Sequence, residues 1–364
     1  MLRTCDREIE LLNFIEQEQT DLGSDFAYSN FFNQLRNTAE RVELRDYIVG
    51  DTLPAFHSGP CDLPKIVRTP ERTVSIDSYD FNMIREQGDV TGCKVDDERV
   101  DERGDFFAPG ARFDRSFNRE SANLLARVRK VKFAQAWELL SFGAYGLYAN
   151  PTTQIGALDF GREAPLKNID LVGTDDDWCM TCSDPSETIE NIASNMAKTG
   201  AGGGILDVMH SPSSWKAMQM HEELDAFRFD TDRNFSGFQS MIDTTYRGVI
   251  FKGSTNQGRV RHWLAMGEYY GSDHVLRPMV EDGNILVVSN DSFQGLDLHN
   301  PWSVDYREIL PTGLNFFLNE DYDRKCRKTE IWIEHRHLML ARNVNGAALA
   351  KVVDVNCEFC KELG

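Results

Sequence analysis

A long helical pattern directly after a strongly polar stretch constrains the fold of this chain most. From Glu120 to Tyr148, apolar residues recur at steps of three and four, which predicts an amphipathic helix with one buried face. At 1.5 Å per residue this helix would be about 43 Å long. Asn150-Pro151 is expected to stop it, and Gly143 and Gly146 weaken its last turns. A helix of this length in 364 residues favours an extended shape over a compact one.

The segment before this helix contains few residues that could form a core. Residues 65–116 are the most charged part of the chain, and only Arg72–Phe81 alternates in the manner of a half-exposed strand. Acidic and arginine residues alternate through 96–105. Such a segment is either a mobile loop or an arm that lies on a neighbouring molecule. Residues 1–60 also have the character of an arm, with a helical pattern over Glu8–Gln19 and an aromatic piece at Phe26–Leu35.

The rest of the chain mixes strands and helices without the regular alternation of a doubly wound sheet. An Asp-Pro start at Asp184 predicts a helix to Lys198, ended by Gly200–Gly204, and Ser211 opens another helix to about Phe227. Strands are predicted at Ile155–Phe160, Ile205–Met209, Thr244–Phe251, Ile285–Ser289, Glu330–Leu340 and Ala347–Val353. This pattern indicates an α+β fold.

Composition excludes several classes of protein. With 39 basic and 58 acidic residues the net charge is −19, which argues against a tight, nonspecific grip on DNA or RNA. The N-terminus does not have the pattern of a signal peptide, and no apolar run approaches the length of a membrane-spanning helix. Eight cysteines in 364 residues are too few for a disulfide scaffold, so we expect mostly free thiols in a reducing cytoplasm.

Two C-x-x-C pairs provide the main case for chemistry. Cys179 and Cys182 form one pair, and Cys357 and Cys360 form the other, so four thiolates could hold zinc or act as redox dithiols. Cys182 and Cys357 are 175 positions apart, far beyond the spacing of a zinc ribbon. Coincidental free thiols are the favoured interpretation, and a zinc- or thiol-dependent cytosolic enzyme is the alternative.

The other motifs predict structure rather than catalysis. Gly200–Gly204 follows a helix and therefore indicates a turn, not a phosphate loop. An EF-hand pattern from Asn319 to Glu330 lacks the glycine that its sixth position needs. Asp175–Asp177 is expected to be a solvated turn, and His335-x-His337 to lie at the surface. We expect no enzyme, no cofactor, and no catalytic or metal site.

Beyond these patterns, residues 155–225 resemble the major capsid proteins of lambda-like tailed phages, the E family. The resemblance rests on the order of a few short motifs and on the closing pair of strands within Glu330–Val353. The motifs are Leu158-Asp159-Phe160-Gly161-Arg162, Trp178, Asp184-Pro185 with Ile189, Ser211 and Trp215.

This resemblance implies the Hong Kong 97-type capsid fold. It implies an N-terminal arm over 1–62, an extended β-loop over 63–116, and a long spine helix at Glu120–Tyr148. The spine helix and the first part of a peripheral domain would cover 117–200. An axial domain would span 201–321, and 322–364 would return to the peripheral domain.

The implied function is structural. Hundreds of copies would assemble as hexamers and pentamers into the icosahedral shell of a virion, built in the host cytoplasm around double-stranded DNA. The principal partner would be the chain itself. Candidate partners are a decoration protein, a scaffolding protein and the portal. No membrane is involved. Packaged DNA would lie close to the shell without being bound by it, and an acidic inner wall would repel the DNA. An adaptor or scaffold protein that never forms a shell is a third interpretation.

Two further expectations concern covalent changes in the particle. Some relatives with this fold crosslink a loop lysine to an asparagine of a neighbour, and the loop here contains Lys65 and Lys94. The lambda-like branch does not imply crosslinking, and we expect none. The chain begins at Met1 without a long helical leader, so no cleaved scaffold segment is expected either.

Overall fold

The computed structural model describes residues 25–37, 41–47, 74–80, 82–97, 109–180, 183–201, 204–221, 248–255, 258–290, 292–298, 316–323 and 328–354. The helices in these ranges are α1 (Phe26–Phe31), α2 (Gly92–Asp97), α3 (Pro109–Phe142), α4 (Pro185–Lys198) and α5 (Pro212–Met220). The strands up to the end of α5 are β1 (Asn33–Asn37), β2 (Arg41–Tyr47), β3 (Val74–Asp80), β4 (Asn82–Thr91), β5 (Ala144–Asn150), β6 (Thr153–Asp159), β7 (Ile169–Asp170) and β8 (Leu206–His210). The remaining strands are β9 (Val249–Thr255), β10 (Val260–Ala265), β11 (Glu268–Tyr270), β12 (Leu276–Pro278), β13 (Asn284–Ser289), β14 (Phe293–Leu298), β15 (Phe316–Asp323), β16 (Lys328–Ala341) and β17 (Ala347–Lys351).

Two larger sheets form the body of the molecule. One has five strands in the order β1-β14-β16-β15, with β4 paired to β16 over Asn82–Thr91 and Lys328–His337. The other has six strands in the order β7-β17-β13-β8-β10-β9. Strands β2 and β3, β5 and β6, and β11 and β12 form three separate two-stranded ribbons. The mixture of helices and sheets confirms the predicted α+β class.

The six-stranded sheet is buried on both faces. Along β13, Ile285 and Val287 pack into one apolar cluster with α4, while Leu286 and Val288 pack into a second cluster with α3. Because neighbouring residues of a strand point to opposite faces, a strand covered on both sides needs apolar residues at every position. This explains why β13 and β17 read as unbroken apolar runs.

Helix α3 connects the two sheets. Its N-terminal half packs Phe117, Leu124 and Val128 against Ile331 and Ile333 of the five-stranded sheet. Its C-terminal half supplies a second set of core residues that pack against β8, β10 and β13 of the six-stranded sheet; they include Trp137, Leu139 and Leu140. Its 34 residues give a rod of about 51 Å, long enough to reach both sheets.

The helices on the other face of the six-stranded sheet begin as predicted. Asp184 is the N-cap of α4 and accepts hydrogen bonds from the backbone of Ser186 and Glu187, with Pro185 in the first turn. Ser211 caps α5 in the same way, through Ser214. Both helices start with a side-chain acceptor and a proline, which together remove orphan backbone donors.

The predicted bounds of the long helix were wrong at both ends. The helix runs from Pro109 to Phe142, not from Glu120 to Tyr148. The apolar face extends further toward the N-terminus through Phe113 and Phe117, whereas Tyr145 and Tyr148 belong to β5. The chain leaves the helix at Gly143, whose φ of 73° is a left-handed conformation that favours glycine.

The predicted loop over 63–116 is also interrupted. Residues 82–91 form β4 and pair with β16 of the chain's own sheet, residues 92–97 form α2, and residues 109–116 belong to α3. In β4 the exposed and half-buried positions alternate up to Gln87; Arg85 is exposed, whereas Glu86 and Asp89 are half-buried. The strand contributes to the sheet although it carries these charges. The polarity of this segment therefore led to a loop prediction where a strand forms.

The expected boundary at residue 200 does not separate two packing units. Helix α4 packs its apolar face into the same cluster as β8, β13 and β17. The strand pairs confirm the predicted strands at 155–160, 205–209, 285–289, 330–340 and 347–353 to within a few residues. The helix predicted from Ser211 to about Phe227 was too long, because α5 ends at Met220 and the backbone of His221 is already extended. The predicted helix at 8–19 and residues 244–247 of the strand at Thr244–Phe251 lie outside the described residues.

Two fully enclosed histidines join β8 to β10. Nε2 of His210 lies 3.0 Å from Nδ1 of His262, and Nε2 of His262 lies 3.0 Å from the hydroxyl of Thr255. The rings of Trp178 and Trp215 border the pair. Burial lowers the pKa of His262 to about 4, and burial together with His262 lowers that of His210. Both rings are therefore neutral at physiological pH.

We expect this pair to make the fold sensitive to mild acid. Below about pH 6.5 the unfolded chain binds a proton at position 262 that the folded chain excludes, so stability falls as pH falls. For His262 the loss between pH 7 and pH 5 is about 2 kcal/mol. His262→Asn should remove that part of the pH dependence, measured by urea unfolding at both pH values. The exposed His274→Asn is the control, and an equal effect of both variants would contradict the assignment.

Candidate functional site: the seat of the long helix

The C-terminal end of α3 is held by a buried arginine. Arg162 donates to the carbonyl oxygens of Leu139 at 3.0 Å, Leu140 at 2.8 Å and Ser141 at 2.8 Å, and to that of Val344 at 3.2 Å. The last carbonyls of a helix have no partner within the helix and carry its partial negative charge. One guanidinium thus satisfies them and ties the helix to the segment before β17.

Gly143 makes room for the Arg162 side chain, and Gly161 provides the turn that precedes it. A Cβ at Gly143 would lie 2.9 Å from the Cβ of Arg162, too close for any other residue without movement. Gly161 also has a positive φ, 69°, and its backbone N–H donates to Asp159 at 2.9 Å. Burial lowers the pKa of Arg162 to about 10, so the side chain stays charged at neutral pH.

A second buried polar group fixes the middle of α3. Nζ of Lys132 donates to Oδ1 of Asp297 at 2.7 Å, and Nε2 of His335 donates to the same oxygen at 3.2 Å. Burial by itself would raise the pKa of Asp297, but the hydrogen bond from His335 and the charge of Lys132 hold it well below its ordinary value. Next to this group, His337 donates to the side-chain oxygen of Gln135 at 2.6 Å.

A third contact connects α3 to the β11–β12 ribbon. Glu138 accepts from the backbone N–H of Ser272 at 2.8 Å and from its hydroxyl at 2.8 Å. Arg277 lies 3.5 Å from the same carboxylate and also pairs with Asp273. Burial raises the pKa of Glu138, whereas the bonds from Ser272 and the charge of Arg277 oppose the rise. The turn of the ribbon is therefore held in place by the helix.

Helix α1 reaches the same region through Asp25. This N-cap accepts from the backbone N–H of Tyr28 at 2.9 Å and from the indole N–H of Trp137 at 3.3 Å. Burial raises the pKa of Asp25 to about 6, and the bonds from Tyr28 and Trp137 limit the rise. Phe26 packs on Trp263, so the residues before β1 join the core between α3 and the six-stranded sheet.

Several side chains that were predicted to be exposed lie inside this seat. His335 and His337 were expected to lie at the surface, but both are buried, as is Lys132. The reason is the pairing of Lys132 and His335 with Asp297, and of His337 with Gln135. Asp177 is also buried, and it accepts from the backbone N–H groups of Gly173 and Cys179 instead of facing solvent.

The cysteine prediction was wrong at Cys179. Cys179 is disulfide-bonded, whereas Cys93 is a free, exposed thiol. The other six cysteines, including Cys182, Cys357 and Cys360, lie outside the described residues, so the bond goes to one of them. A sulfur held in a disulfide is not available as a thiolate ligand for zinc.

Within the described ranges, no three histidine, cysteine or acidic side chains come close enough to hold a metal ion. Among the helices described, none is both long and apolar enough to cross a membrane. The polar contacts of Arg162, Lys132, Glu138 and His337 all join α3 to other elements, so this arrangement positions those elements.

The role of Arg162 was missed by sequence reasoning. Its motif, Leu158-Asp159-Phe160-Gly161-Arg162, was noted for its likeness to other proteins, not for what the arginine contacts. A signal was present in the two glycines, because Gly143 ends the helical pattern and Gly161 precedes the arginine. Lys132 also carried a signal, since a helical projection places it between the buried Val128 and Ala136.

No protein-family model matches this sequence, and no curated protein matches it. Solved structures match over almost the whole chain. The capsid protein of an Escherichia coli CFT073 prophage is 14% identical, with a TM-score of 0.61, over 90% of this chain and 93% of that one. The capsid of Ralstonia phage GP4 is 11% identical, with a TM-score of 0.52, over 92% and 93%.

These similarities show the fold. The chain has the Hong Kong 97-type fold that its sequence was expected to have, across about nine tenths of its length. The narrower resemblance to the lambda-like E family stays a prediction.

Substitution of Arg162 tests whether its buried hydrogen bonds to the end of α3 stabilise the fold. Arg162→Ala is expected to lower the free energy of unfolding by about 3 kcal/mol or more, because it leaves several buried carbonyls without a donor. Arg162→Lys should be nearly as damaging, since one ammonium cannot reach four acceptors. Arg127→Ala, at a side chain that is 58% exposed, is the control and should change stability by less than about 1 kcal/mol. A lysine variant as stable as the original chain would contradict this role.

Proposed function

We propose that this chain is the major capsid protein of a tailed bacteriophage, assembling as hexamers and pentamers into an icosahedral shell around double-stranded DNA. One observation carries the proposal: its fold matches phage capsid proteins over nine tenths of both chains, so no large part is left for a different activity. The function is structural and not enzymatic.

The ribbon of β2 and β3 supports this proposal. The two strands pair over Arg41–Tyr47 and Val74–Asp80, and among the described strands they pair with nothing else. A two-stranded ribbon is marginally stable in water unless it packs on something. We therefore propose that the extended loop lies around this ribbon, on a neighbouring subunit, and that residues 82–97 belong to the body.

The two large sheets suggest how the domains divide. In this proposal the five-stranded sheet, with the N-terminal half of α3, is the peripheral domain. The six-stranded sheet, with α4 and α5, is the axial domain. The N-terminal arm then ends before α1, since α1 and β1 belong to the body. Helix α3 links the domains, and its apolar cluster contains residues of both sheets, among them Met339 and Leu286.

The principal partner is a further copy of the same chain. Rings form when one surface of a subunit meets a different surface of the next, and such heterologous contacts close at a fixed number of copies. A scaffolding protein, a portal and a decoration protein remain candidate partners, and assembly in the host cytoplasm is part of the proposal. With a net charge of −19, the inner wall would repel packaged DNA.

The alternative of a zinc- or thiol-dependent enzyme has lost support. Cys179 is disulfide-bonded and the described residues show no metal cluster. Several of the polar groups brought together around α3 pair with one another, although Nδ1 of His337 has no hydrogen-bond partner among the described residues. No observation favours a second function.

The test is assembly itself. The chain would be expressed alone and with candidate scaffolding proteins, fractionated by size, and imaged by negative-stain microscopy. Closed shells, or sheets and tubes of hexamers, are expected in the largest fraction. A small, monodisperse oligomer under both conditions would contradict the proposal, and zinc would then be assayed in that fraction.

We also expect particles without covalent crosslinks through Lys94. Its Nζ donates to the carbonyl of Asp89 at 2.7 Å and lies 3.3 Å from Glu120. Burial opposes the change, but the bonds to Asp89 and Glu120 raise the pKa of Lys94 and keep it a non-nucleophilic ammonium. Denaturing gels of assembled particles should show the monomer band at 41.4 kDa. Ladders above that mass that disappear in Lys94→Arg would contradict this expectation.

A further inference from the structure

The β5–β6 ribbon is an exposed element whose one charged residue, Asp159, ends β6. The longest stretch of this chain without Asp, Glu, Lys, Arg or His runs from Leu139 to Leu158, between Glu138 and Asp159. It includes the end of α3 and nearly all of both strands of the ribbon. In a chain with 27% charged residues, such a stretch is expected in a core. Here, residues 149–155 are exposed throughout.

The base of this ribbon is held firmly. The backbone N–H of Phe160 donates to the carbonyl of Gly143 at 3.1 Å, directly beside the cap that Arg162 forms on α3. The hydroxyl of Tyr145 donates to the carbonyl of Met339 at 3.1 Å and accepts from Asn82 at 3.3 Å. The exposed half therefore projects from a fixed base, and little conformational entropy would be lost when it is covered.

The β6 strand of this ribbon carries little of the usual protection of an edge. Natural edge strands are guarded by charges, prolines or bulges, which prevent pairing with another chain. Between Thr153 and Leu158, β6 has neither a charge nor a proline, and among the described strands it pairs only with β5. Its ladder with β5 is interrupted at Ile155, which has no partner between the pairs Leu147–Gly156 and Tyr148–Gln154. Ile155 is 69% exposed, so its side chain, and not a continuous backbone edge, is what the ribbon offers to a partner.

The charge pattern indicates which kind of molecule would bind the β5–β6 ribbon. A surface without a cation does not bind the phosphates of nucleic acid, and it offers no ion pair to a strongly charged protein partner. Two copies of this chain, at −19 each, repel one another, so they can approach closely only where no like charges meet. The β5–β6 ribbon is the longest such segment in the sequence.

We propose that the surface of this ribbon around Ile155 is a contact to a second copy of the chain. This inference rests on the proposed function and deepens it, since it names one surface through which subunits meet. The contact buries Ile155 together with the uncharged residues on either side of it in β6. Its area is small, so it adds to other subunit contacts and does not replace them.

The test compares two identical substitutions. Ile155→Asp places a carboxylate on the proposed contact, and Ile205→Asp places one at a residue that is 43% exposed outside the ribbon. Thermal unfolding first establishes that both variants fold. We expect Ile155→Asp to lower the yield of assembled material about tenfold or more, because the new charge would be buried without a partner. Ile155→Val should assemble like the original chain.

Hydrogen–deuterium exchange provides a readout that does not depend on a variant. The backbone amides of residues 153–158 should exchange more slowly in the assembled state of the original chain than in the free subunit. Exchange at equal rates in both states, or equal yields from the Ile155→Asp and Ile205→Asp variants, would overturn the contact while leaving the proposed function intact.

The two proposals fail in different ways. If the original chain forms only small oligomers, the shell function is wrong, and the same pair of variants still measures the contact through sedimentation velocity. Oligomers weakened by Ile155→Asp alone would then support the contact. A chain that stays monomeric at every concentration, with or without scaffold, overturns both.

Discussion

The fold depends on how the end of α3 is held. A helix of 34 residues that ends inside the protein exposes carbonyl groups where water does not reach. Arg162 satisfies Leu139, Leu140 and Ser141 and reaches Val344, so one side chain joins the helix, the β5–β6 ribbon and the segment that enters β17. Without this cap, the direction in which the chain leaves the helix would not be defined.

The other buried polar groups along α3 fix its position along the two sheets. Apolar packing tolerates small sliding of a helix on a sheet, because methyl and methylene contacts are not directional. The bond between Lys132 and Asp297 and the one between Glu138 and Ser272 are directional, and each would leave an unpaired buried group after a shift. The two sheets are therefore fixed to one rod at defined points. This arrangement suits a subunit that must meet its neighbours with the same geometry many times.

How much the sequence could predict follows from the range of the interactions. Helix starts at Asp184 and Ser211 depend on residues three positions away, and both were predicted correctly. The strand at 82–91 depends on β16, which lies some 240 positions later, so local polarity hid it. The surface assignment of His335 and His337 failed for the same reason, because their partners Asp297 and Gln135 come from other elements. The resemblance to phage capsid proteins captured the fold because it used the order of distant motifs.

The net charge and the uncharged ribbon belong to one argument. At physiological salt the repulsion between copies is screened beyond about 8 Å, so it acts only when surfaces are nearly in contact. A subunit at −19 can therefore diffuse among its copies, and it is repelled only at the last step of docking. Contacts that lack charge avoid that penalty, and contacts with mixed charge select the correct partner surface. Individually weak contacts of both kinds allow a misplaced subunit to leave again. In the proposed shell, ring closure would make many of them at once and so retain the correctly placed subunits.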